Sequence, residues 1–498
     1  MAVTTAAWAA PPVHRQVIQP CEAPDEVMRS DTSPMVPTLP RLPQVPQVPQ
    51  VPQVPPAPQV PTAPPVPQPA DRRHRRADRP WPVPAHESTL APKRVLLLSD
   101  CYRPTINGVV TSLVDLQRAL LDAGHDVRVL TVAHSSPATF DGQVYRLPSV
   151  AAGIVYPQAR IGRPVDRRLF TELVRWGPQV LHTHTEFVAF WWARRLSDYL
   201  GAPHVHTYHT LYEDYTHYFC PHAGIGRAIS AGLTRAAMNR LDLVVTPTAK
   251  IQSLLRGYGV RRPITVVPTG VDLGRFGPGA HDDPATAALR AALGLEPGLP
   301  VVLSLGRLAV EKNLTETVDL LASIRHRPWQ FVVVGDGPHA GALRDQVHRL
   351  GLAGRVRFVG AVPPERVPAY YRLGDVFVSS SRSETQGLTY LEALASGLPV
   401  VCRADPSFDG VVVDGHNGHQ YRGAGDFADT LSRLLLDPQL RRRWGRGAAQ
   451  TASGFGLPVF AESMRRAYDR ALGARARGHR TAGSVRPARW ADTERRSA

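Results

Sequence analysis

Short apolar runs alternate with amphipathic stretches along most of this chain, and no other feature restricts its fold as strongly. Residues 94–100 read RVLLLSD, an apolar run that closes on polar residues. The loop CYRPTINGVV follows, and then Leu113, Leu116, Leu120 and Leu121 recur at the spacing of one helical face, which Gly124 closes. DVRVLTVA is the next strand. The rhythm continues through VLHTHT, HVHTYHT, LVVTPT and ITVVPTG, then starts afresh with VVLSLGRL, FVVVGDG, VRFVG, VFVSSS and LPVVCR. Runs this short and apolar read as strands buried on both faces. Strands that alternate with helices predict parallel sheets covered on both sides. Between the two series lies GVDLGRFGPGAHDDP, rich in Gly, Pro and Asp, which reads as a hinge. The expected class is α/β, with two doubly wound halves.

The ends of the chain obey other rules. Of its 48 prolines, 23 fall in residues 1–92, and residues 43–55 repeat the unit Pro-Gln-Val. A segment that lacks every third N–H cannot form a regular ladder, so a solvated polyproline-II arm is expected. Arg72, Arg73, Arg75 and Arg76 follow it, either as part of a flexible leader or as a basic patch for acidic lipid or a partner. From Arg475 onward the chain has seven arginines against two acids and is expected to be disordered. The expected organisation is a disordered Pro-rich basic arm over 1–92, an α/β domain over 93–275 and a second over 276–457. A helix over 458–474, carrying Val459, Met464, Tyr468 and Leu472, crosses back to the first domain, and a basic tail fills 475–498.

Composition excludes several classes. The net charge is +16, and the two ends supply about six of those charges. The rest are spread widely, with no zinc-finger, RNA-recognition or helix-turn-helix signature, so a nucleic-acid binder is only a remote alternative. Cys21, Cys101, Cys220 and Cys402 form no C-x-x-C pair, which excludes a disulfide scaffold or zinc ribbon and fits a reducing compartment. No run of 18 apolar residues predicts a membrane span, and MAVTTAAWAAPPVH lacks the basic start of a cleaved leader.

The stretch SRSETQGLTYLEALASGLPVV, residues 381–401, carries the most chemistry. Ser383-Glu384 is expected in a loop after a strand, and Gln386-Gly387 lets the backbone approach a ligand closely. A helix then starts, with Leu391, Leu394 and Ala395 inward and Gly397 as its C-terminal stop. Backbone N–H groups at such a start favour an anion. Glu384 and Glu392 are eight residues apart, at most about 12 Å along a helix at ~1.5 Å per residue. That suits contacts at the two ends of a sugar diphosphate, although Glu392 alone reads as well as a surface glutamate. SLGRLAVEKNL, residues 304–314, ends a strand, turns at Gly306 and offers Arg307 and Lys312. Loops at the carboxyl ends of parallel strands face a ligand crevice, where two cations can neutralise a leaving diphosphate without metal. Either cation alone would be a solvated surface charge. No D-x-D metal signature occurs in the chain. VGDGP, residues 334–338, is a glycine turn that any βα unit could carry.

In the first half, Asn107-Gly108 opens the loop after the first strand, and a glycine there lets amides approach a phosphate or sugar. His182, His184, His204, His206 and His209 lie in HTHTEF and HVHTYHTLYEDYTHYF. Their alternation could suggest a metal set. The spacing is that of a buried strand without an acid cluster, so no metal site is expected, and His209 at the strand's end is the candidate to touch a sugar.

GRLAVEKN together with SETQGLTYLEALASG resembles the retaining glycosyltransferases of family 4, which have the GT-B fold of two Rossmann-like domains facing a central cleft. PTGVDLGRF resembles their interdomain connector, and the similarity spans about 93–470. YRPTINGVVTSL, HTHTEF and HVHTYHTLYEDYTHY are similar to the diacylglycerol glucosyltransferase branch, whose members move glucose from UDP-glucose to diacylglycerol. The resemblance implies that Gly108 and Gly306 approach the donor and that Arg307 and Lys312 hold its diphosphate. It implies that Glu392 bonds the ribose and Glu384 the transferred sugar, while the amides of Thr385, Gln386, Gly387 and Leu388 lie along sugar and phosphate. His209 would sit near the sugar's 6-position, and the segment from Val359 to Val362 would hold the uracil edge. Many members carry Phe-Gly where this chain has Gln386-Gly387; the diacylglycerol branch also carries Gln there. No metal and no permanently bound cofactor are implied. The alternative within the family is a mannosyl- or N-acetylglucosaminyl-transferase acting on phosphatidylinositol, inositol phosphate or a polysaccharide.

A lipid acceptor implies a cytoplasmic enzyme, peripheral on the inner face of the plasma membrane. Two segments could reach an anionic surface. RIGRPVDRRLFTELVRW (160–176) sets Arg160, Arg163, Arg167, Arg168 and Arg175 beside Leu169, Phe170, Leu173 and Trp176. GIGRAISAGLTRAAMNRL (224–241) sets Arg227, Arg235 and Arg240 beside Ile229, Leu233 and Met238. Either could instead be a core-facing helix with solvated arginines.

Overall fold

The computed structural model describes residues 91–133, 139–151, 160–162, 167–211, 223–279 and 283–481. The proline-rich arm, the chain beyond Thr481 and all of YEDYTHYF lie outside the described residues.

The first lobe holds β1 (Arg94–Leu98), β2 (Asp126–Val132), β3 (Thr139–Phe140), β4 (Val144–Leu147), β5 (Ser149–Ala151), β6 (Arg160–Gly162), β7 (Val180–Thr183), β8 (His204–Thr207), β9 (Leu243–Thr246) and β10 (Ile264–Val266). Its helices are α1 (Gly108–Asp122), α2 (Arg167–Trp176), α3 (Val188–Leu200), α4 (Ala223–Met238) and α5 (Ala249–Gly257). The main sheet runs β10-β9-β8-β7-β1-β2-β4-β3 and is parallel except at β3. Every residue of β7, β8 and β9 is buried; β9 is accordingly a nearly unbroken apolar run, while the histidines of β7 and β8 are buried in hydrogen bonds. Leu113, Leu116 and Leu120 of α1 are fully buried against β1 and β2, each worth roughly 1.5–3 kcal/mol of transfer free energy.

The second lobe begins with α6 (Leu273–Phe276) and α7 (Pro284–Ala292). It continues through β11 (Val301–Leu305), α8 (Leu314–Ser323), β12 (Gln330–Val334), α9 (Ala340–Arg349), β13 (Val356–Gly360), α10 (Val367–Leu373) and β14 (Val376–Ser379). α11 (Leu388–Ala395), β15 (Val400–Arg403), β16 (Gly418–Tyr421), α12 (Ala424–Leu436) and α13 (Pro438–Ser453) complete it. The sheet order is β13-β12-β11-β14-β15-β16, parallel throughout. The chain is therefore α/β with two Rossmann-like lobes. The expected hinge contains α6, whose Phe276 is buried in the second core.

The chain returns to the first lobe through α14 (Leu457–Thr481). The two crossings lie side by side: Val271 N donates to Phe455 O at 2.8 Å. Phe460, Met464, Ala467, Tyr468 and Ala471 complete the core behind β1 and α1. The tail expected to lose order at 475 stays helical through Thr481. Arg475 explains part of this, because its guanidinium meets Asp242 at 3.1 Å and anchors the helix past its last apolar turn.

The two candidate membrane segments part company here. In α2, Leu173 is buried, while Leu169, Phe170 and Trp176 pack on the first-lobe core, so this helix takes the core-facing reading. In α4, Met238 is in the core, but Ile225, Ile229 and Leu233 are 56%, 53% and 68% exposed. Among the described residues no helix is long and apolar enough to cross a membrane.

Candidate functional site

Loops at the carboxyl ends of both parallel sheets meet one another, as expected for a ligand site in doubly wound folds. Asn107 caps α1 by accepting from Val110 N at 2.9 Å. At Gly108, the first residue of α1, an added Cβ would lie 3.8 Å from Leu388 Cδ1, at the first turn of α11. Two helix N-termini, one from each lobe, thus approach one another, and the dipole of a helix start favours an anion. Gly387 precedes α11 at φ 77°, and a side chain there would strike Tyr390 Cδ2 at 2.7 Å.

The acidic and basic candidates converge in part. Lys312 Nζ lies 2.7 Å from Glu384 Oε1. Arg307 is exposed and reaches Glu311 at 3.8 Å. Gly306 sits just before it at φ 150°. Glu392 accepts from the Tyr371 hydroxyl at 2.8 Å. Burial pushes the Glu392 carboxyl up to about 7; the Tyr371 bond and Arg275 oppose the rise, and Asp115 on α1 adds to it. Asp115 is itself raised to about 6 by burial, against the pull of Arg275. Val362 lies beyond β13, packed on the second core.

Thr385 and Gln386 make further bonds besides the amide contacts expected of them. Thr385 O accepts from Thr248 Oγ1 at 2.9 Å. The Gln386 carboxamide accepts from Thr269 N at 2.8 Å and donates to Thr269 O at 3.0 Å, like a rung of a β-ladder. Its side chain is thus spent on the connector, which leaves only its main chain for a donor. The turn at VGDGP is structural as well: side chains at Gly335 or Gly337 would collide with the backbones of Gly306 and Leu308.

The histidines form a buried chain. His182 bonds Tyr468 Oη and Thr207 Oγ1, each at 2.8 Å. The Thr183 hydroxyl lies 3.0 Å from His204 Nε2 and 2.9 Å from His206 Nδ1. His184 Nδ1 lies 2.9 Å from His209 Nε2. Burial, with His206 nearby, holds His209 down at about 3, so it is neutral near pH 7 and offers a hydrogen bond without a charge. Among the described residues no group of three or more His, Cys, Asp or Glu side chains is placed to hold a metal ion.

Several members of this site escaped the sequence reading: Thr248, Lys250, Tyr371, Asp405 and Ser407. Lys250 and Asp405 each follow a parallel strand closely, which was the one available signal.

Comparison with known proteins agrees with the geometry. The profile of Glycosyltransferase Family 4 matches residues 106–275, and that of Glycosyl transferases group 1 matches 286–451. The alpha-monoglucosyldiacylglycerol synthase of Streptococcus pneumoniae is 33% identical over 69% of this chain and 78% of that protein. The synthase of the same name from Acholeplasma laidlawii is 28% identical over 75% and 96%. A D-inositol 3-phosphate glycosyltransferase of Nocardia farcinica is 36% identical over 46% and 53%. Among solved structures, sucrose-phosphate synthase from Thermosynechococcus elongatus superposes with a TM-score of 0.61 at 23% identity, covering 77% of this chain and all of that one. Anabaena HepE in complex with UDP and glucose does so with 0.59 at 20%, covering 76% and 99%. Two matched lobes, the facing helix starts and the relatives' identities converge on one conclusion: the chain belongs to the family 4 glycosyltransferases of GT-B fold, in their diacylglycerol glucosyltransferase branch.

Proposed function

We propose that this glycosyltransferase moves glucose from UDP-glucose to the free hydroxyl of diacylglycerol, with retention of configuration and without a metal ion. The observation that carries the proposal is the Lys312–Glu384 pair at 2.7 Å beside the facing starts of α1 and α11. It sets a cation for the diphosphate directly against a carboxylate for the sugar. Arg307, Lys312 and the helix-start amides hold the diphosphate and take up the charge that develops as it leaves. Glu392 bonds the ribose, and the Val359–Val362 segment the uracil. Neutral His209 uses Nε2 against His184 and turns Nδ1 to a sugar hydroxyl. As the glycosidic bond to UDP breaks, the glyceride oxygen bonds C1 from the same face, and its proton passes to the departing β-phosphate oxygen. Glu384 steadies the oxocarbenium-like sugar. Its bond to Lys312 weakens it as a covalent nucleophile, which favours this route over a glycosyl-enzyme.

The acceptor assignment rests on the names of the two synthase relatives. The membrane is the inner leaflet, and α4 is the docking element: Ile225, Ile229 and Leu233 are spaced four residues apart along one exposed stripe. Each basic residue near an anionic surface adds about 1 kcal/mol.

Product analysis tests the reading. The purified chain is given UDP-glucose, other nucleotide sugars and diacylglycerol vesicles, with and without a chelator. The expected product is α-glucosyl-diacylglycerol from UDP-glucose, unaffected by the chelator. The Nocardia relative motivates a second reading, so inositol phosphate is included; its glycosylation with diacylglycerol untouched would transfer the assignment.

A further inference from the structure

Three consecutive residues of the loop before α11 are tied to the opposite side of the cleft. Glu384 O accepts from Lys250 Nζ at 3.2 Å, Thr385 O accepts from Thr248 Oγ1 at 2.9 Å, and Gln386 pairs with both backbone groups of Thr269. Thr248 and Lys250 form the start of α5 in the first lobe, and Thr269 lies in the connector. The lysine does not act alone. Asp405, after β15, receives its ammonium on both oxygens, at 2.9 and 2.8 Å. The same carboxylate accepts from Ser407 N at 2.7 Å, and Ser407 Oγ donates to Glu384 O, also at 2.7 Å. The Glu384 carbonyl therefore takes one bond from each lobe, and Asp405 aligns both donors.

We infer that Lys250, with Asp405 as its anchor, is a positioning residue that couples closure of the two lobes to the placement of the Glu384 carboxylate. This rests on the reading of Glu384 as the sugar-facing residue. Hydrogen bonds weaken steeply with distance and angle, so a small opening of the cleft releases residues 384 and 385 together and lets the Glu384 side chain drift from the sugar. The groups assigned to base and ribose, the Val359–Val362 segment and Glu392, all belong to the second lobe and keep their places. The loop is therefore in working order only when the lobes are closed, which ties catalysis to closure.

The inference separates two quantities that a merely structural lysine would move together. In Lys250→Ala, kcat should fall by about ten- to a hundredfold, the scale of an ångström's misplacement of a reacting group, while the Kd for uridine, which reaches only the second lobe, stays within about threefold. Lys250→Arg should restore part of kcat. Asp405→Asn should resemble Lys250→Ala, and the double variant should lose no more than the worse single one, because both act through one contact. Small-angle scattering of the donor-free proteins, which needs no assumption about substrate, should show the Lys250→Ala chain more open than the wild type. A wild type that turns over no nucleotide sugar refutes the functional reading and leaves the scattering result to decide the latch. Unchanged kcat in Lys250→Ala, losses that multiply in the double variant, or uridine affinity falling in step with kcat overturns the inference.

Discussion

Gly108 and Glu392 show how a single residue's environment leads to a measurable consequence. A methyl group on Gly108 would sit 3.8 Å from Leu388, an ordinary contact, so Gly108→Ala should leave folding stability within about 0.5 kcal/mol. The same methyl enters the space between two helix starts where the diphosphate is placed, and donor affinity should fall by about tenfold or more, roughly 1.4 kcal/mol. Calorimetry of folding and of UDP-glucose binding reads the two effects separately, and equal affinity in both proteins would remove Gly108 from the donor site. Glu392 supplies a pH signature. Its carboxyl is raised to about 7 in the donor-free protein, and ribose hydroxyls donate best to the carboxylate form. Binding should lower that value and release a proton, so affinity should rise with pH up to about 7, by at most about tenfold per unit. Titration calorimetry near pH 6.5 in buffers of different ionisation enthalpy should detect the proton, and Glu392→Gln should abolish it. Both residues can be proposed from the sequence because the motifs that hold them are local. The bond of the Gln386 side chain is not legible in the sequence for the opposite reason: its partner, Thr269, is 117 residues away in sequence, and nothing in a linear pattern shows that a carboxamide matches one distant peptide group.

At the level of elements, the strands and their parallel order followed from runs such as LVVT and FVVV, since burial on both faces leaves no room for alternation. What sequence could not decide was the facing of the two basic amphipathic helices. α2 and α4 share a composition of arginine and large apolar residues, yet Phe170 packs inward while Ile229 is 53% exposed. The difference lies in the surface each helix meets, not in its own periodicity. The end of α14 was hidden in the same way, because Arg475 is held by Asp242 from a loop before β9. The contrast between α2 and α4 yields a paired prediction. Ile229→Asp and Leu233→Asp should lower sedimentation with anionic vesicles several-fold, since each removes apolar contact and adds a repulsive charge, with little change in thermal stability. Phe170→Ala should do the reverse, destabilising the fold by about 1–3 kcal/mol, since the ring is partly buried against the core, and sparing vesicle binding. Salt-insensitive sedimentation that ignores both α4 variants would remove this helix from the membrane.

For the molecule as a whole, the question is how two separately cored lobes act as one enzyme. Each lobe has its own hydrophobic clusters, and α14 closes the first lobe's core with residues from the far end of the chain. The contacts between the first lobe and the donor loop and connector are instead polar: Lys250 with Asp405, Thr248 with Thr385, Ser112 with Thr269, and Arg118 with Asp272. Polar contacts exchange readily with water, whereas each core has a large apolar area to lose, so the lobes should move as bodies and keep their folds. Donor fragments should then protect backbone amides in two steps. Uridine, which offers only base and ribose, should slow hydrogen exchange at Val356–Gly360 and at the start of α11, both in the second lobe. UDP should add protection at residues 306–312 and, across the cleft, in the first turn of α1, because only the diphosphate spans the two helix starts. At a hundred times its Kd, UDP should also stabilise the whole chain by about 2.7 kcal/mol. Exchange mapped by mass spectrometry separates these regions. Protection of the first turn of α1 by uridine alone, or its absence with UDP, would mean that the two helix starts do not share one ligand.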